Sequence, residues 1–112
     1  MTAMVDETIA RLQAEPEGAE VGPEKRAELL RLLASLRAEV GQIARSDADQ
    51  AQSIAAFAHL SAQEATRPRP RRDLLELSLT GLRRSVQEFE QTHPRLVEVV
   101  GSLATSLSNL GV

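Results

Sequence analysis

Two apolar stripes of similar length flank one short segment that cannot be helical, TRPRPRR, Thr66 to Arg72. Pro68 and Pro70 each lack an amide donor and restrict the residue before them, so the chain must turn there. Upstream, apolar residues fall at Leu29, Leu33, Leu36, Val40 and Ile43, in alternating steps of four and three. The same steps run on through Asp47 and Gln50 to Ile54 and Phe57. Downstream the stripe reads Leu75, Leu79, Leu82, Val86, Phe89, His93, Leu96, Val100, Leu103, Leu107 and Leu110. Such steps keep one helix face apolar and define a heptad seam. The expected fold is all-α: a long antiparallel helical hairpin, coiled-coil-like, preceded by a short helix.

The chain of 112 residues reads as one domain. Residues 1–14 form the short helix, with Val5, Ile9 and Leu12 on one face. Residues 15–22 are an acidic linker broken by Pro16 and Gly18. The first arm spans 23–66 and opens with Pro23, favoured where a missing N–H costs nothing. The turn occupies 67–72 and the second arm 73–110. Each arm would be about 40 residues and about 60 Å long. Polar residues at 45–47 allow a break in the first arm, but the retained heptad phase favours an unbroken helix. In the second arm Pro94 implies a kink, or a full break at 92–94.

Folded about the turn, the seams place Leu36 opposite Leu103, Val40 opposite Val100, Ile54 opposite Val86 and Phe57 opposite Leu82. Asp47, Gln50 and His93 then gather in one polar layer beside Pro94, a structural arrangement that would fix register. As a catalytic pair, His93 and Asp47 lack a nucleophile and an oxyanion donor.

Composition narrows the chemistry further. A 42% hydrophobic content is too high for a disordered chain. With no cysteine, the chain forms no disulfide and has no thiolate ligand. The two histidines, His59 and His93, would lie about 20 Å apart along the hairpin, so no metal site and no cofactor is expected. A net charge of −3 argues against general nucleic-acid affinity. Arg67, Arg69, Arg71 and Arg72 nevertheless form a basic cluster at the turn, an alternative anion-binding site for nucleic acid or a membrane surface. No aromatic residue stands near them to stack a base. The N-terminus has no signal-peptide pattern, and no apolar run reaches the ~20 residues of a membrane span. A soluble cytoplasmic protein is expected.

Leu30, Leu32, Val97, Val99 and Ala104 flank the seams at the end away from the turn. Two helices cannot cover so wide a stripe, so these residues are expected to form an interface. A homodimer making a four-helix bundle would cover them.

The C-terminal stretch SVQEFEQTHPRLVEVVGSLATSLSNLGV adds a resemblance. Phe89, Glu90, Thr92, His93, Pro94, Leu96, Asn109, Leu110 and Gly111 resemble the signature of a small bacterial family of uncharacterised helical proteins, known as a domain of unknown function. That resemblance implies an all-helical fold and transfers no activity or functional residue. The function expected is a non-enzymatic helical module for oligomerisation or protein interaction.

Overall fold

A computed structural model describes residues 3–14 and 22–110. Five α-helices make up the fold: α1 (Ala3–Ala14), α2 (Pro23–Ser46), α3 (Ala48–Ala65), α4 (Arg72–Ser85) and α5 (Pro94–Leu110). A single 3-10 turn, Gln87–Phe89, lies between α4 and α5. The expected linker at 15–22 lies outside the described residues except for Gly22, as does Gly111.

The expected long arms are corrected on one decisive dimension. The greatest extent of the molecule is 39 Å, well short of the length of a continuous arm. Each arm is folded in two. The first breaks at Asp47, where α2 ends and α3 begins. Asp47 N–H still donates to the Ile43 carbonyl, closing α2, while its carboxylate accepts the Gln50 N–H at 3.1 Å, opening α3. One residue thus serves as C-cap and N-cap, and a cap three residues ahead of an amide is the geometry helix starts favour.

The second arm breaks between Ser85 and Pro94. Pro94 is the first residue of α5, not a kink within a helix. A mid-helix proline would forfeit its hydrogen bond to Glu90 and clash with that carbonyl. At the helix start it loses nothing. The intervening chain is held by short-range bonds, Phe89 N–H to the Val86 carbonyl at 2.9 Å and His93 N–H to the Phe89 carbonyl at 2.8 Å.

Folding the arms in two is favoured by apolar area. In the bundle α2 packs against α5 and α3 against α4, while α3 also packs against α1, α2 and α5. A central helix with four neighbours needs small side chains. Ala51, Ala55, Ala58, Ser61, Ala62 and Ala65 of α3 are all buried, which accounts for its alanine content. Around them Leu33, Leu36, Ile43, Ile54, Leu75, Leu82, Leu96 and Leu103 are fully enclosed. Each such side chain contributes about 1.5–3 kcal/mol on leaving water.

The short helix α1 docks on α2 and α3 through Val5, Thr8 and Leu12, all buried. Polar contacts help to hold it, among them Asp6 to Arg37 of α2 at 2.6 Å and Thr8 to His59 of α3 at 2.5 Å. The Thr8 hydroxyl already donates to the Met4 carbonyl, so it accepts from His59, whose Nδ1 carries the proton.

Candidate docking surface

The surface begins at one glycine. Gly81 of α4 faces Phe57 of α3, and an added Cβ there would fall 2.9 Å or less from three ring carbons. Without a side chain at 81 the ring lies directly over the α4 backbone. The helices run antiparallel, being joined by the tight arginine-proline turn and packed side by side. One helical turn on from Phe57 is Leu60, and one turn back from Gly81 is Leu77. In an antiparallel pair both steps go the same way, so the two leucines flank the same point of the outer face. Leu60 is 42% exposed and Leu77 is 69% exposed, and they are the exposed large hydrophobic residues of the described chain. Phe57 is half-buried one helical turn away from the pair.

The arginines of the turn border this face, and three of the four are engaged. Arg67 donates to Glu64 at 2.8 Å and Arg71 to Asp73 at 2.8 Å. The latter bond holds the Asp73 carboxyl below its usual range, with burial opposing. Arg72 bonds Glu76 at 3.2 Å and reaches α5, where it donates to the Ser108 carbonyl at 2.9 Å. A cation at that helix end suits its partial negative charge. Arg69, Arg83 and Arg84 are exposed and make no hydrogen bond or ion pair among the described residues.

The other expected sites are placed differently. The side chains of Asp47, Gln50 and His93 do not bond to one another; the one link among the three is the Gln50 backbone N–H on the Asp47 carboxylate. Asp47 caps α3, Gln50 donates from its side chain to the Ser85 carbonyl at 2.7 Å, and His93 meets Thr92 and the edge of Phe89. The three side chains do not form the expected hydrogen-bonded layer, because each is engaged with another group beside a helix break. Val99 and Ala104 are buried, and Leu30, Leu32 and Val97 pack half-buried against the same core. Val99 and Ala104 are therefore covered within the chain, while Leu30, Leu32 and Val97 keep part of their surface, because five helices enclose much of a stripe that two would leave open.

An open groove of about 650 Å³ runs along α5, lined by Glu28, Arg83, Glu98, Gly101, Ser102, Thr105 and Ser106. The Ser106 hydroxyl donates to Glu28 and holds that carboxyl below its usual range; partial burial opposes, and Lys25 and Arg31 assist. The lining offers carboxylates and hydroxyls but no imidazole or thiol. Among the described residues no group of three or more His, Asp or Glu side chains is placed to hold a metal ion. No helix among them is long and apolar enough to cross a membrane.

The geometry defines an all-helical bundle with an apolar outer face on α3 and α4. The chain belongs to the DUF4404 family, a domain of unknown function, whose family model matches residues 29–112. The match starts within α2, so α1 lies outside it. No curated protein and no solved structure matches the chain.

Proposed function

We propose that this protein is a non-enzymatic docking module that presents the outer face of α3 and α4 to another protein. One observation carries the reading: Leu77 stands 69% exposed beside Leu60, although the bundle encloses nearly every other large apolar side chain. Isolated exposed leucines are ordinary, but two that share a face with an aromatic ring form a patch. The five flanking residues offer less to self-association than this face does, since Val99 and Ala104 are buried in the core. If the module does pair with itself, this face is the one favoured for it.

Photo-crosslinking tests the proposal. A benzoylphenylalanine at position 77 should give one discrete adduct in an extract of the native host. The same group at Thr105, exposed on α5, should give none. An adduct of twice the chain mass identifies a second copy, and any other discrete mass a different protein. The same ladder of products from both positions would sink the reading.

A further inference from the structure

Resting on that docking face, we infer that its partner is an acidic amphipathic helix of another protein. Charge around the face points to this chemistry. Residues 64–84 hold six arginines against three carboxylates, Glu64, Asp73 and Glu76, although the whole chain carries −3. The three carboxylates are already paired with Arg67, Arg71 and Arg72. Arg69, Arg83 and Arg84 are left without an acid; Arg83 lines the groove along α5, while Arg69 and Arg84 sit at opposite ends of the apolar patch.

Their placement follows from helical spacing. Leu77, Gly81 and Arg84 lie at steps of four and three along α4, hence on one stripe. On α3, Leu60 lies five residues before the helix ends at Ala65, and Arg69 follows in the turn. Arg84 lies about 10 Å from Leu77 along α4, and the turn that carries Arg69 lies the opposite way, beyond the end of α3 about 8 Å from Leu60. The free cations thus bracket the leucines over about 20 Å, or roughly 14 residues of a bound helix. A helix laid along this face would set two or three leucine-like side chains against Phe57, Leu60 and Leu77. Carboxylates near its ends would meet Arg84 and Arg69. This is the helix-in-groove mode of recognition with a charged rim.

The test uses the full chain and a labelled synthetic helix of about 20 residues, with leucines at heptad spacing and Glu at the flanking positions. Parallel probes carry Gln or Lys in place of Glu. By fluorescence anisotropy the Glu probe should bind at least about tenfold more tightly than the Gln probe and weaken as salt rises. Leu77→Glu and Arg84→Glu should each weaken it about tenfold or more while circular dichroism stays unchanged; Leu77→Ser controls for the added charge. Equal binding of the Glu and Gln probes would overturn the acidic partner and leave the docking face standing. Equal binding of the Lys probe, or insensitivity to Leu77, would overturn the inference. So would self-association that Leu77→Glu abolishes, since the face would then belong to a second copy. Binding to phosphatidylserine vesicles that Leu77→Glu abolishes would give the face to lipid and equally overturn it. Absence of probe binding together with indiscriminate crosslinking at 77 would remove both readings.

Discussion

Gly81 of α4 lies directly beneath the Phe57 ring of α3, leaving no room for a side chain. Gly81→Ala should therefore be destabilising although alanine is the better helix former. The clash costs about 1–3 kcal/mol and the propensity gain offsets at most about 1 kcal/mol. Urea unfolding should show a net loss. In a Phe57→Ala background the same substitution should become neutral or favourable, a reversal that isolates the ring contact.

The Ser61 hydroxyl on α3 is fully buried and has no hydrogen-bond partner among the described residues. Buried hydroxyls normally bond the carbonyl a turn back, as Ser78 and Ser85 do at 2.8 and 2.6 Å. Ser61→Ala should raise stability by about 1 kcal/mol, or roughly 4 °C in melting temperature for a domain of this size. A drop in melting temperature would show that the hydroxyl has a partner in solution.

Asp47 holds the corner between α2 and α3. Asp47→Ala removes the bond to the Gln50 amide and should cost about 0.5–2 kcal/mol. Asp47→Asn should retain most of that stability, because its side-chain oxygen can accept the same bond. Equal losses in both variants would shift the cause from the hydrogen bond to the charge.

Glu28 gives a pH-dependent signature. Its carboxyl is depressed in the folded state, first by the Ser106 hydroxyl. A depressed carboxyl stabilises the fold above its ordinary titration range, and the effect is lost as pH falls through the lowered value. Ser106→Ala should therefore reduce stability near neutral pH and converge with the wild type by about pH 2. Carbon-13 NMR titration of Glu28 should show its midpoint rising in the variant. A gap between the two proteins that persists unchanged into acid would assign the loss to packing.

The aliphatic parts of the heptad stripes were legible: Leu29 through Ile43 and Leu96 through Leu107 are core positions of helices, while Asp47, Gln50, Phe57 and His93 of the same stripes are not. The arginine-proline turn was legible too, since two prolines leave little choice. What periodicity could not reveal was where a helix doubles back. The phase continues across Asp47 because α3, like α2, turns its apolar side to the common core, so register alone cannot tell a rod from a folded pair. The signal was in the caps: Asp47 three residues before Gln50, and Pro94 where a helix can begin. The docking face was missed because Leu60 and Leu77 belong to neither stripe and meet only through the packing of Phe57 on Gly81.

The joint between α2 and α3 is a single amino acid. With so little slack the two helices cannot swing apart on a loop. Opening the bundle at that corner requires unravelling a turn of one of them, and strain applied to α2 passes directly into α3, the helix that every other one leans on.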